Sequence, residues 1–232
     1  MKPILFRMKR DEIRNNQIWA RLAIFLLWLQ MVYGLGAIFI AYNSYALISR
    51  HSIGFGYDEK FNILEATLIE VNVSLFIVTS LIFLIWFWQV YANFHVLHPK
   101  KATFGKVWAI IGWFLPLLNF YIPFAIMREI WLENQEETDD SLNEKRYRWV
   151  IWWWMFSLMA FVIAFSLEFF VPMAVTDTAS WQKIYFMLIC KYFFFTLSAA
   201  TAIMLIFKIN QSEQKLREKE TDLDIYDHLV EK

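Results

Sequence analysis

The sequence is poor in cysteine, in charged residues and in net charge. A single cysteine, Cys190, among 232 residues excludes a disulfide framework and a cysteine-based zinc or iron–sulfur cluster. The 22 basic residues equal the 22 acidic ones, so no basic excess argues for a nucleic acid partner. Charged residues make up only 19% of the chain, whereas soluble domains average about 25%. These shortages exclude a disulfide-rich secreted scaffold and disfavour a soluble globular domain.

Catalytic motifs are also missing. The chain has no nucleophile-elbow, zinc-protease, P-loop or dinucleotide-binding pattern. His95 and His98 stand three residues apart, but no acidic or thiol partner lies near them in the sequence, so a metal or haem site is disfavoured. The soluble segments are too short for an independent enzyme domain. We therefore expect no enzymatic activity, no cofactor and no metal.

Apolar residues, by contrast, are abundant and arranged in long runs. They make up 59% of the chain. A helix needs roughly 20 apolar residues to cross a bilayer core about 30 Å thick. Five runs approach or exceed this length, at residues 22–49, 71–99, 107–127, 149–167 and 184–207. The pattern predicts an all-α integral membrane protein.

The distribution of Lys and Arg indicates how many of the five runs cross. Short cytoplasmic loops carry an excess of both residues. If every run crossed, 10 basic residues would lie on the cytoplasmic side and 11 on the other. If the run 107–127 enters and returns on one side, the division becomes 18 to 3. We therefore predict four transmembrane helices, with both termini in the cytoplasm and the middle run re-entrant or interfacial.

This arrangement divides the chain into three parts. A basic cytoplasmic segment precedes the membrane domain, and a charged cytoplasmic tail follows it. The predicted bounds are 1–21 for the basic segment, 22–207 for the membrane domain, 208–232 for the tail, about 22–47, 71–93, 149–171 and 184–207 for the spans, and 105–131 for the re-entrant or interfacial element.

Pro116 and Pro123 interrupt the middle run. Because proline lacks an N–H, a continuous helix here would leave the carbonyls of Gly112 and Asn119 without partners, at a cost of several kcal/mol in hydrocarbon. Two short helices on either side of the residues between the prolines avoid this cost. Pro123 fits the first turn of the second helix, where its missing donor is harmless.

Three polar residues near this break are candidate functional or structural groups. Asn119, between the prolines, would coordinate an ion or polar solute in one interpretation, as discontinuous helices of transporters do. In the other, which we favour, its amide only satisfies freed carbonyls. Gln89 and Asn93 stand four residues apart on one face of the second span. We interpret them as contacts to the broken element rather than a solute path.

Glu168 and Lys191 are the charged residues inside the third and fourth spans. These spans are consecutive and antiparallel, so the two charges are expected at similar depth, where they are able to pair. Charges inside a membrane indicate function by default. A structural ion pair, or a lysine that extends its stem toward the interface, explains them equally simply, and we favour that interpretation.

Three motifs in fixed order give residues 80–131 a resemblance to a known family. They are F-L-x-W-x-x-x-x-x-x-N ending at Asn93, W-F-x-P-x-x-N-x-x-x-P ending at Pro123, and R-E-x-W from Arg128 and Glu129 to Trp131. The chain resembles an uncharacterised bacterial family of multi-span membrane proteins, catalogued as a domain of unknown function. The resemblance implies a multi-span membrane protein and supplies no activity. We expect the protein in the bacterial cytoplasmic membrane.

Two function classes follow from these features. The first is a non-enzymatic membrane scaffold or sensor subunit, embedded in the lipid bilayer as a homo-oligomer or with a membrane partner. The second is a small solute or ion transporter, or a channel, that uses the Pro-broken element. We favour the first because intramembrane polar groups are few, and because the broken element has no counterpart in the other half of the chain, as transporter repeats would provide.

Overall fold

The computed structural model describes residues 13–50, 59–136, 147–170 and 178–230, and every regular element among them is helical. The helices are α1 (Gln17–Arg50), α2 (Glu59–Leu97), α3 (Trp108–Ile111), α4 (Ile122–Glu136), α5 (Arg148–Phe170) and α6 (Thr178–Val230), with a 3-10 turn at Leu118–Phe120. The predicted all-α class is confirmed for these residues. Most of the predicted basic segment, residues 1–12, lies outside the described residues.

Four helices are long and apolar enough to cross a membrane. The qualifying segments are Gln17–Ser49, Glu70–Leu97, Arg148–Phe169 and Ala179–Lys215. Each overlaps one of the four predicted spans, so the number and order of the spans are confirmed at the level of length and composition. Within the described ranges, the proline-containing middle run is not among them. α6 continues beyond the predicted end of its span at residue 207, because helix formation does not require apolar side chains.

The long helices carry large apolar side chains that face away from the rest of the protein. Val32 is 64% exposed, Phe39 69%, Phe169 70% and Phe207 58%. Acyl chains cover such side chains in a bilayer, where each helix satisfies its own backbone polar groups. The exposure pattern therefore supports the same class of protein as the composition.

The chain divides into two compact units. Unit 1 takes in the described residues of Met1–Ile24, Ile82–Ile151 and Met204–Lys232, and unit 2 those of Phe25–Leu81 and Trp152–Ile203. Unit 1 contains the Pro-broken run together with Gln89, Asn93, Arg128 and Glu129, whereas unit 2 contains Glu168 and Lys191.

Small and hydroxyl-bearing residues pack the helices of unit 2. The hydroxyls of Ser157 and Ser198 lie 2.7 Å apart and share a hydrogen bond. Gly34 lies so close to the hydroxyl of Thr196 that an added Cβ would overlap it. Small residues let helix backbones approach closely, which is the usual basis of helix packing inside membranes.

Aromatic and aliphatic side chains form the core of unit 1. Trp86, Phe87 and Ile126 are completely buried, and they come from α2 and α4. The Trp113 ring meets Phe87 edge-on, with the ring centroids 6.0 Å apart, and makes a similar contact with Phe83. These contacts anchor the irregular segment between α3 and α4 on α2.

Candidate functional site

The two prolines of the middle run lie where the helix is interrupted. α3 ends at Ile111, and α4 begins at Ile122 with Pro123 in its first turn, as the sequence predicts. A Cβ added to Gly112 would lie 2.6 Å from Ile122 Cγ2. Glycine at this position therefore allows the end of α3 to approach the start of α4.

Leu117, next to Pro116, marks the sharpest point of the break. Its φ is +67°, and it is the only non-glycine residue with a positive φ in the described part of the chain. Such a conformation costs an L-residue about 1–2 kcal/mol. The Leu117 side chain is 80% exposed, Phe114 is 70% exposed and Tyr121 59%. The turn is thus strained, and it presents an apolar surface.

Asn119 and Gln89 each bury an amide oxygen that accepts no hydrogen bond within the described residues. Asn119 belongs to the 3-10 turn, where its N–H donates to the Leu115 carbonyl at 3.0 Å. A buried acceptor without a donor costs about 1–3 kcal/mol. Each of these oxygens therefore lowers the stability of unit 1.

A buried hydrogen-bonded group, which we call the polar knot, consists of the Arg14 main chain and the side chains of Asn16, Asn93 and Glu213. Asn93 Oδ1 accepts the Arg14 N–H at 2.9 Å, and Asn93 Nδ2 donates to the Arg14 carbonyl at 3.0 Å. Asn16 Nδ2 donates to Glu213 Oε2 at 2.6 Å, and Asn93 Nδ2 lies 3.5 Å from Glu213 Oε1. Asn16 and Asn93 are 1% exposed and Glu213 7%. A carboxylate this deeply buried needs donors, which the two amides supply.

The polar knot departs from the predicted role of Asn93. The sequence predicts a contact with the Pro-broken element, but the structure places the Asn93 side chain against the segment before α1. The reason is that Arg14 precedes the first helical turn, so its N–H and C=O have no helical partners and need others. The knot therefore joins three elements: the segment before α1, the end of α2, and α6 at residue 213.

A second group, which we call the Phe104 clasp, consists of Tyr91, His95, Glu129 and the Phe104 main chain. The Phe104 N–H donates to Tyr91 Oη at 3.1 Å, and the Phe104 carbonyl lies 2.9 Å from His95 Nε2 and 3.0 Å from Tyr91 Oη. His95 Nδ1 lies 2.9 Å from the Tyr91 carbonyl oxygen. Glu129 Oε2 accepts from Tyr91 Oη at 3.1 Å and from the Thr103 N–H at 3.3 Å. The clasp fixes the α2–α3 loop to α2 and α4.

An ion pair lies beside the clasp. Lys101 Nζ and Glu133 Oε2 are in contact, and His98 Nδ1 lies 3.8 Å from the same oxygen. His98 thus faces a carboxylate, whereas both ring nitrogens of His95 face main-chain carbonyls. No group of three or more His, Cys, Asp or Glu side chains within the described residues is placed to hold a metal ion.

The remaining candidates lie apart from these groups. Arg128 is exposed on α4. In unit 2, Lys191 Nζ lies 4.9 Å from the centroid of the Tyr192 ring. No ion pair within 4.0 Å joins Lys191 to Glu168 in the described part of the chain. The structure therefore places Asn93 and Glu129 in hydrogen-bonded groups, and it places Glu168 and Lys191 outside them.

Sequence reasoning missed four residues of these groups. Tyr91 and His95 are polar residues four positions apart at the end of a span, and this spacing on one helix face was a usable signal. Asn16 and Glu213 are 197 positions apart, and no local pattern connects them.

Comparison with known proteins adds a family and nothing further. Residues 59–214 match the family described as "Domain of unknown function (DUF4328)". No curated protein and no solved structure matches the chain.

Proposed function

The chain belongs to the family of proteins with a domain of unknown function, DUF4328, and from this premise we propose that it is a non-enzymatic membrane scaffold or sensor subunit. The polar knot is the observation that carries the proposal. It joins the end of the basic N-terminal segment, through residues 14 and 16, to the start of the charged tail, through Glu213. A displacement of α2 or α6 would therefore shift the residues from which both water-soluble ends of the chain extend.

The proposed setting is the bacterial cytoplasmic membrane, with both termini in the cytoplasm. The 18 to 3 division of basic residues supports this orientation. The Pro-broken run is proposed to enter the membrane from the cytoplasmic side and return, or to lie in the interface. Its lack of charge and the exposed side chains of Phe114, Leu117 and Tyr121 support contact with lipid.

A scaffold or sensor needs a partner, which we propose to be a second copy of the chain or another membrane protein. Quantitative crosslinking in a bacterial host tests this proposal with the variant Asn93→Leu, which deprives the Arg14 main chain of its partners. Crosslinks from the N-terminal segment and the tail are expected to fall several-fold. The matched control is Asn72→Leu, which lies on the same helix outside the knot and is expected to keep them.

Two outcomes would overturn the scaffold proposal. One is a crosslinking pattern that is the same in both variants and in the unmodified protein. The other is the absence of any crosslink from either end of the chain to a membrane protein.

The buried oxygens of Gln89 and Asn119 favour a transporter or channel as the second candidate. Amide oxygens without donors inside a membrane protein suit a cation or a polar solute. Flux of protons, cations and anions into liposomes containing the purified protein measures this activity. Flux that is abolished by Asn119→Leu, and kept by Asn43→Leu at an exposed site on α1, would reverse our ranking.

A further inference from the structure

We propose that His95 is a proton-binding site whose doubly protonated ring closes the Phe104 clasp. This inference rests on the proposed sensor function for its biological use, since it names cytoplasmic acidity as the signal. Its chemistry depends only on the geometry of the clasp.

The geometry around the ring requires two N–H donors. His95 Nδ1 and Nε2 each lie 2.9 Å from a main-chain carbonyl oxygen, that of Tyr91 and that of Phe104. A carbonyl oxygen only accepts hydrogen bonds, and a neutral imidazole carries only one N–H. In either neutral tautomer, one ring nitrogen would direct its lone pair at an oxygen. The imidazolium ion is the one form of the ring that satisfies both contacts.

The Tyr91 hydroxyl does not replace His95 Nε2 as the hydrogen-bond donor to the Phe104 carbonyl. Its single hydroxyl proton lies within reach of the Phe104 carbonyl, at 3.0 Å, and of Glu129 Oε2, at 3.1 Å. A hydrogen bond to a carboxylate is about twice as strong as one to a neutral carbonyl. The proton therefore goes to Glu129, and the Phe104 carbonyl depends on His95 Nε2.

The charged and titratable groups around the clasp come from three elements. They are Tyr91 from α2, His98 and Lys101 from the loop, and Glu129 and Glu133 from α4. Lys101 and His98 both face Glu133. Glu129 reaches the His95 ring through Tyr91, whose ring meets the imidazole edge-on at 4.6 Å.

Loss of the proton would open the clasp. Histidine changes charge in the range of about pH 5 to 8, which includes the cytoplasmic range. Above the transition one carbonyl loses its donor and faces a lone pair, so the loop from His98 to Val107 is held to α2 less tightly, by the hydrogen bond from the Phe104 N–H to Tyr91 Oη. This loop leads directly into α3 and the Pro-broken run. Proton binding at His95 would thereby change the position of the Pro-broken run, which is proposed to contact the membrane.

A nitroxide spin label at residue 102 tests the inference. The label is introduced as Ala102→Cys in a Cys190→Ser background, and the purified full-length protein is studied in lipid nanodiscs from pH 5 to 8. We expect an immobilised label at the acid end and a mobile one at the alkaline end. His95→Gln is expected to abolish the transition. The control His98→Gln, which removes the neighbouring histidine, is expected to keep it.

The inference is overturned if the unmodified histidines give no transition, if His95→Gln keeps it, or if His98→Gln abolishes it. A second measurement does not depend on the folding of His95→Gln. With His51→Gln, His98→Gln and His228→Gln combined, His95 is the only histidine, and ¹⁵N NMR reads its ring directly. Both nitrogens must carry protons below the label transition and one above it, and a ring with one proton throughout contradicts the inference.

These results separate the two proposals. An intact proton transition with no crosslinks to a partner overturns the scaffold or sensor function only. Intact crosslinks with no proton transition overturn the role of His95 only.

Discussion

At the scale of single residues, the buried polar groups of the polar knot are matched to specific partners. The Asn16 amide and the Glu213 carboxylate form the shortest hydrogen bond of the knot, at 2.6 Å. Amide and carboxylate are complementary here because one donates and the other only accepts. Exchanging donor and acceptor is therefore a direct test of the contact.

Asn16→Asp is expected to destabilise the protein by about 3–5 kcal/mol, because it faces the buried Glu213 carboxylate with a second negative charge. Adding Glu213→Gln restores one donor and one acceptor and removes one charge. The double variant should recover more than half of the loss. Unfolding in mixed detergent micelles, monitored by tryptophan fluorescence, measures each free energy.

A destabilisation that is the same in the single and double variants would show that the Asn16–Glu213 hydrogen bond is not what holds these residues. Glu213→Gln alone serves as the reference, since it removes the carboxylate charge and keeps an acceptor for only one of the two amides.

At the scale of elements, the Pro-broken run shows what a local sequence pattern predicts and what it does not. Pro116 and Pro123 act on their own turns, so the break and the start of α4 were predictable. The residue with positive φ was not. Gly112 is the expected choice, but its φ is −56°, and its missing Cβ instead makes room for Ile122. The positive φ falls on Leu117.

Leu117→Gly is expected to leave stability unchanged or to raise it by up to about 1 kcal/mol. Glycine removes the strain of a positive φ, although it adds entropy to the unfolded chain. The matched control is Phe114→Gly, which is also highly exposed but has no positive φ to relieve. The control is expected to lose about 1 kcal/mol. Thermal unfolding in one detergent compares the two, and an equal loss in both would mean that Leu117 is not strained.

At the scale of the whole molecule, the sequence predicted the helical class and four spans because both depend on local apolar length. It did not predict the polar knot or the Phe104 clasp. Arg14 is 79 positions from Asn93, and Asn16 is 197 from Glu213. Helical periodicity shows which residues share a face, but it contains no information about which distant face lies opposite.

The orientation in the membrane is open to a labelling test in a Cys190→Ser background. A membrane-impermeant maleimide should react with Lys106→Cys and Asp140→Cys from the same, cytoplasmic side, because the run between them is expected to return. Lys60→Cys, between the first two spans, should react from the opposite side and serves as the control. Labelling of residues 106 and 140 from opposite sides would contradict the four-span topology.

The contact between Asn93 and Arg14 has a consequence for sequence divergence. Asn93 forms hydrogen bonds with the N–H and C=O of residue 14, which every amino acid except proline provides in the same form. The two Asn93 hydrogen bonds are thus independent of the side chain at position 14, whereas the Arg14 guanidinium adds a separate contact 4.6 Å from the centroid of the Trp88 ring. Substitutions there would alter the charge of the segment and remove the contact with Trp88, but the Asn93 hydrogen bonds would stay constant.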